Sequence, residues 1–316
     1  MVYVPKPKET PMSAIDVFAH VLPPNFYAKM LEIEPQIPQR YAFFNNPTLT
    51  NMEARRSHWD GQTRQVISFV NALPEDYVGP DEAAALCWEG NEELMAMRRA
   101  NADMFEAAVL MVPMNNMSEA VRIVREQVLG NDDVVGVQIF TRALGESIAH
   151  EAFHPLFEAL AQADVPAWLH PVFDSRKPDN NIVFSWEYEL TQAMLQMVQA
   201  GLLQEFPNLK VICHHAGAMV PFFAGRVDHI LPPEQAADMR RFYADTAILG
   251  NTAALELAVD YYGIDHVVFG TDAPLGILPA GATKEILAAI DAMDLSDADK
   301  QAIHSGNYLR LLGKSQ

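Results

Sequence analysis

Ile15-Asp16-Val17-Phe18-Ala19-His20-Val21-Leu22-Pro23-Pro24 is an apolar run that carries one imidazole and stops on two prolines. It reads as a short buried strand running straight into a loop, because proline ends a ladder and opens irregular backbone. His20 stands at the C-terminal end of that strand. Barrels of alternating strands and helices keep their chemistry at that end. On this reading His20 is a metal ligand on a first strand, and later strand ends should carry its partners. His170, His215 and Asp272 each close an apolar run. Side chains alternate along a strand, so position 18 faces the same way as position 20. A second ligand is expected there, and the residue is Phe18.

Outward from this stretch, residues 64–70, 105–113, 134–140, 165–171, 209–215, 242–247 and 266–272 read as seven more strands. Helical spacing falls between them, at 79–102, 117–128, 155–163, 188–201 and 253–262. Strands buried on both faces are continuous apolar runs, as most of these are. Eight such alternations predict an α/β fold, a single (β/α)8 TIM barrel forming one domain over residues 1–316. Residues 23–62 form an insertion after the first strand, with a helix near 52–56. It lies on the catalytic face, where it can contribute a substrate lid. Two C-terminal helices are expected at 284–293 and 297–312, and residues 1–12 read as an arm or a frayed end.

The chain has 22 Lys and Arg against 41 Asp and Glu, a net charge of −19. Such a surface repels nucleic acid and anionic membranes. An anionic substrate then needs a local positive centre, a metal or an arginine. No apolar run approaches the ~20 residues of a membrane span. The N-terminus lacks the basic and apolar regions of a signal peptide, and the two cysteines, Cys87 and Cys213, both sit among apolar residues. Buried free thiols suit a reducing compartment, so a cytoplasmic protein is expected.

His20, His170, His215 and Asp272 would converge on one barrel mouth, and their nitrogen and oxygen donors suit zinc and its neighbours. His214 and His215 are adjacent and on a strand would face opposite ways; His214 is expected to be the structural member. The remaining histidines read as solvated or satisfied. Arg226, eleven residues after His215, is placed either to clamp a carboxylate or to form a surface ion pair. The absence of a lysine on the fourth strand favours one metal at most. No Gly-rich phosphate loop and no Gly-x-Ser-x-Gly elbow occurs.

These residues resemble the amidohydrolase superfamily, and within it the amidohydrolase-2 branch typified by aminocarboxymuconate-semialdehyde decarboxylase. The resemblance runs through Asp16-Val17-Phe18-Ala19-His20-Val21-Leu22-Pro23, where that branch has Asp-x-His-x-His-x-x-Pro. It continues in the stretch from Pro166 to His170-Pro171, in His215-Ala216-Gly217-Ala218-Met219-Val220-Pro221, in Phe269-Gly270-Thr271-Asp272-Ala273-Pro274, and in Gly306-Asn307. It implies His20, His170 and Asp272 as ligands of one divalent metal, zinc or manganese. It also implies His215 as the general acid/base, and Arg226 as an arginine that reaches a substrate carboxylate, across a homodimer interface in the type enzyme. Two positions depart from the pattern. Phe18 replaces a metal-binding His and becomes part of the substrate wall. Asn46 lies nearest to a second substrate arginine. The expected activity is non-oxidative decarboxylation of a small cyclic or aromatic carboxylate, with His215 or Asp272 delivering a proton. Two alternatives stand beside it. One is hydrolysis of a lactone or amide, with Asp272 taking the proton of a metal-activated water. The other is a barrel that binds a ligand without metal because of Phe18.

Overall fold

The computed structural model describes residues 14–173 and 181–314; the N-terminal arm read at 1–12 lies outside them. Nine strands follow in chain order: β1 Ile15–Val21, β2 Arg64–Phe69, β3 Phe105–Leu110, β4 Val134–Phe140, β5 Arg142–Ala143, β6 Glu146–Ser147, β7 Ala167–His170, β8 Val211–Cys213 and β9 Tyr243–Ala244. Seven of them form one parallel sheet in the order β1-β2-β3-β4-β7-β8-β9, and β5 with β6 makes a small antiparallel hairpin beyond β4. Helices cross between consecutive strands of the sheet, such as Pro80–Ala100, His154–Ala163 and Ser185–Gln199, and Thr252–Tyr262 follows β9.

The eighth position is occupied, though not by the regular strand expected at 266–272. Residues 267–273 touch both sheet edges through single bridges, Ala244 with Val267 and Ala19 with Ala273. Backbone bonds complete the ring: Val268 donates to Ala244 at 2.9 Å, Val17 to Phe269 at 2.8 Å, and Asp272 to Phe18 at 2.8 Å. Regularity fails here because Asp272 takes a left-handed φ of 61°. Close packing also intervenes: a Cβ on Gly270 would lie 2.9 Å from that of Asp245 and 3.1 Å from that of Phe18. The seven-stranded curl is thus closed into a barrel by an irregular seam.

Val17, Val66, Val109, Val135, Trp168, Ile212 and Val268 form one buried cluster to which each wall of the ring contributes. Trp168 donates its indole N–H across the interior to the Val17 carbonyl at 2.9 Å. A filled interior of branched side chains supports the catalytic end of such a barrel.

The insertion is more helical than its sequence announces. It holds helices Pro24–Ile33, Ile37–Arg40 and Met52–His58, with two 3-10 turns between them. Arg55 from the last helix is buried, and its Nη1 donates to the His20 carbonyl at 2.6 Å. The insertion thereby braces the end of β1.

Candidate active site

His20 closes β1 with Nδ1 3.1 Å from the Phe69 carbonyl oxygen and 3.1 Å from Ser68 Oγ. A carbonyl only accepts, so Nδ1 carries the proton and Nε2 keeps its lone pair. That Nε2 is buried, has no hydrogen-bond partner among the described residues, and lies 3.3 Å from Asp272 Oδ1. His170 closes β7 and turns Nδ1 to the Pro171 carbonyl at 2.5 Å, which frees its Nε2 in the same way. Burial, then the neighbouring imidazoles of His20 and His214, push the His170 pKa down and keep it neutral. Donor atoms of His20, His170 and Asp272 all lie within 4.8 Å of one another. Lone pairs facing a carboxylate across 3.3 Å are mismatched without a cation between them, and two tetrahedral ligands at ~2.1 Å from one ion stand about that far apart. The three residues therefore suit one divalent ion, with coordination positions left open.

Phe18 does face this cluster. Its ring centroid is 4.8 Å from that of His20 and 5.4 Å from that of His170, edge-on to both. It forms one side of an apolar surround completed by Phe140, 5.5 Å from His170, and Trp186, 5.8 Å from His170. Outward, Phe173 lies tilted against Trp186 at 4.7 Å and stacks on Tyr41 at 5.0 Å. Phe173, Tyr41, Tyr77 and Arg142 line a cavity of about 500 Å³. The aromatic faces of Phe18, Phe140, Trp186 and Phe173 suit a small aromatic ligand, while the cavity beyond them is charged, with Arg40, Asp76 and Arg142 in its lining.

His215 reaches the site by a route that strand alternation does not foresee. β8 stops at Cys213, and His215 and Ala216 then take left-handed φ values of 58° and 57°. Non-glycine residues rarely adopt this conformation, and it needs support from the surroundings. The Asp245 carboxylate provides it, accepting from Ala216 N at 3.1 Å and from Ala247 N at 2.9 Å. The turn puts both imidazoles in the interior, which corrects the expectation that His214 faces away. His214 is fully buried, stacks on Phe18 with centroids 3.4 Å apart, and holds Asp245 Oδ2 at 2.7 Å.

His215 Nδ1 donates to Glu187 Oε1 at 2.9 Å. Burial alone would lower the His215 pKa, but the Glu187 carboxylate overrides it and the value stands at about 9. Burial raises Asp245 to about 6, a shift restrained by His215 and the backbone donors. Neither Glu187 nor Asp245 was singled out from sequence. Asp245 lies inside the seventh run as read, 242–247, and only the early end of β9 at Ala244 makes it a strand-end residue. Glu187 lies in the first turn of helix Ser185–Gln199 and carries no comparable signal.

Two further residues singled out for the substrate, Asn46 and Arg226, have the following surroundings. Asn46 is buried, donates its amide to the Pro274 and Pro279 carbonyls at 3.2 Å each, and accepts from Thr48. Its hydrogen bonds tie the insertion to the segment after Asp272. Arg226 lies exposed on helix Ala224–Ile230, beside the exposed pair Phe222 and Phe223. No helix among the described residues is long and apolar enough to cross a membrane.

A family model described as Amidohydrolase matches residues 15–314. The chain belongs to the amidohydrolase family. It is similar to 6-methylsalicylic acid decarboxylase of Penicillium expansum, 26% identical, with 95% of this chain and 96% of that one covered. Among solved structures it resembles 5-carboxyvanillate decarboxylase from Sphingomonas paucimobilis, with a TM-score of 0.81, 19% identity, and 96% and 100% of the two chains covered. It also resembles a dihydroxybenzoic acid decarboxylase from a Polaromonas species, solved with manganese and 2-nitroresorcinol, with a TM-score of 0.75, 18% identity, and 95% and 97% covered. These amidohydrolase-family relatives are decarboxylases, and the family assignment agrees with the one read from the motifs.

Proposed function

We propose that this chain is a metal-dependent, non-oxidative decarboxylase of a small aromatic carboxylic acid. The observation that carries the reading is the pairing of a three-donor cluster with an imidazole held by a carboxylate, His215 on Glu187, in an aromatic surround. His20, His170 and Asp272 would hold one zinc or manganese ion. When bound, that ion supplies a Lewis acid for the substrate carboxylate and a neighbouring oxygen. Phe18, Phe140 and Trp186 support the ring and exclude water. Glu187 fixes the tautomer of His215 and keeps its other nitrogen protonated at neutral pH. Nε2 then delivers a proton to the ring carbon, the bond from that carbon to the carboxylate breaks, and CO2 leaves. The net change is a proton for CO2, with no change of oxidation state beyond the two products. Asp272, beside the same centre, serves in the alternative assignment as the group that delivers the proton.

An imidazole with a pKa of about 9 is an acid at neutral pH. This favours protonation chemistry over the hydrolytic alternative, in which a proton must be removed from water. The donor geometry favours a metal-bound site over a metal-free one. Arg226, with Phe222 and Phe223, supports a homodimer in which the arginine approaches the neighbouring site, since aromatic residues and arginine are enriched at interfaces. One domain and a cytoplasmic location complete the reading, the latter supported by the buried free thiols of Cys87 and Cys213.

The test is CO2 release from a panel of hydroxybenzoates by manganese- or zinc-loaded protein, with aryl esters and lactones alongside. Ester or lactone hydrolysis without CO2 release would replace the decarboxylase reading with the hydrolase. Light scattering checks the dimer.

A further inference from the structure

Four imidazoles meet at the barrel mouth, and the roles above use three of them. The fourth, His214, is fully buried, lies parallel to the Phe18 ring, and meets the His170 ring edge-on at 5.5 Å. Its Nδ1 is 2.7 Å from Asp245 Oδ2, while the other Asp245 oxygen accepts the Ala216 and Ala247 N–H groups. A carboxylate so placed is an acceptor on every side. The imidazole proton therefore sits on Nδ1, and Nε2 presents a lone pair. That Nε2 is buried and has no hydrogen-bond partner among the described residues. His214 does not join the metal donors, because the group with mutual distances within 4.8 Å comprises His20, His170 and Asp272. Asp245 and the face of Phe18 fix the ring from two sides. The result is an oriented, unmatched acceptor next to the site, and buried acceptors of this kind are normally matched by a donor.

We propose that His214 is a specificity-determining residue whose Nε2 accepts a hydrogen bond from a ring hydroxyl of a hydroxylated aromatic acid bound at the His20–His170–Asp272 cluster. The inference rests on the decarboxylase reading and names the residue that would read a ring hydroxyl of the substrate. Phe18 thereby gains a purpose: a phenyl ring at that position adds no competing donor and backs the imidazole with a flat apolar face. The acceptor rewards a hydroxyl and leaves an unsubstituted ring with an unmatched group, which is how a polar site discriminates between near-isosteres.

The experiment measures, by calorimetry on manganese-loaded protein, the ratio of affinities for 2-hydroxybenzoate and benzoate. His214→Phe removes the acceptor. Asp245→Asn keeps the shape but donates to Nδ1, which moves the imidazole proton to Nε2 and turns the acceptor into a donor. Both variants should lower the ratio by about tenfold, the scale of one hydrogen bond, with one metal per chain retained by elemental analysis. Any preference due to the hydroxyl oxygen touching the metal is common to all three proteins and cancels in the comparison. In unaltered, zinc-loaded protein, the ¹⁵N resonance of His214 Nε2 should move on adding 2-hydroxybenzoate and stay in place with benzoate; this needs no variant to fold. An unchanged ratio with metal retained, or a resonance indifferent to the hydroxyl, overturns the role of His214 and leaves the decarboxylase reading intact. Failure of both acids to bind the unaltered loaded protein removes that reading, and this one with it.

Discussion

The two halves of the barrel wall are built differently. β1 to β4 are six or seven residues long, and each of the three pairings between them is long enough to absorb one register shift. β7, β8 and β9 shrink to four, three and two residues, and the closing seam is held by single bridges. Backbone strain follows the same division. Leu144, Asp164, His215, Ala216, Ala218, Leu249 and Asp272 have left-handed φ, and no non-glycine residue described before Leu144 does. The long-stranded half contributes His20, Phe18 and Phe140. The short-stranded half contributes His170, His214, His215, Asp245 and Asp272. A regular ladder dictates where side chains point, so it makes a scaffold; short strands release the backbone to aim polar groups at one point, and neighbouring carboxylates hold the strained turns in place.

The comparison breaks if the irregular half proves dispensable. Asp272→Ala should lose the metal and lower turnover by ~10²–10⁴-fold or more, since it removes a donor and a candidate proton carrier together. Metal analysis with a CO2-release assay reads both, and retention of the metal would remove Asp272 from the donor set. The counterpart in the regular half is Ile139→Ala. Ile139 is fully buried, and the truncation should cost about 2–5 kcal/mol of stability in denaturant while the folded protein keeps its kcat. A change in kcat without a loss of stability would show that the scaffold half also tunes the chemistry.

Glu187→Gln sharpens the comparison through pH. The folded-state pKa of His215 is about 9 against an ordinary value of 6.5. The sign is that of a raised basic group: its contribution to stability is fully present below about 6.5 and is lost as pH rises through about 9. The alkaline limb of the rate profile should lie near 9 and move well down in the variant, with turnover falling ~10–100-fold, as when other orienting partners are removed. A limb that does not move would detach His215 from the proton step. The smallest effect is expected at Phe18→His, about tenfold tighter metal by chelator competition. Tighter metal with lower turnover would indicate a site adapted to three protein donors; unchanged metal affinity would show that the new imidazole does not reach the ion.

The residues legible in the sequence were those that obeyed the ladder. His20 and His170 stand at the ends of apolar runs, the last but one residue of β1 and the last of β7, and both face inward. Asp272 was found by the same rule although its run is a seam, because the chain still follows the barrel wall there. The rule failed where regular backbone stopped. His214 was assigned away from the site by alternation, but β8 ends before it and alternation no longer applies. Glu187 was invisible because its partner lies 28 residues ahead in the chain and the contact is tertiary. Asn46, singled out as nearest by alignment to a second substrate arginine, gives its amide to carbonyls more than 200 residues away, a tertiary contact that no local pattern announces.

Asp16 accepts from Phe18 N at 3.1 Å, from Thr271 N at 2.9 Å and from Thr271 Oγ1 at 2.5 Å, across 255 residues of sequence in the last two cases. Synthesis runs from the N-terminus, and domains form as their residues emerge. A growing chain that has delivered His170 but not Asp272 holds two of the three donors and an open sheet edge. The clasp between Asp16 and Thr271 forms only when the neighbour of the third donor arrives. Ring closure is thereby timed to a late moment in translation, when the last wall of the barrel arrives beside β1.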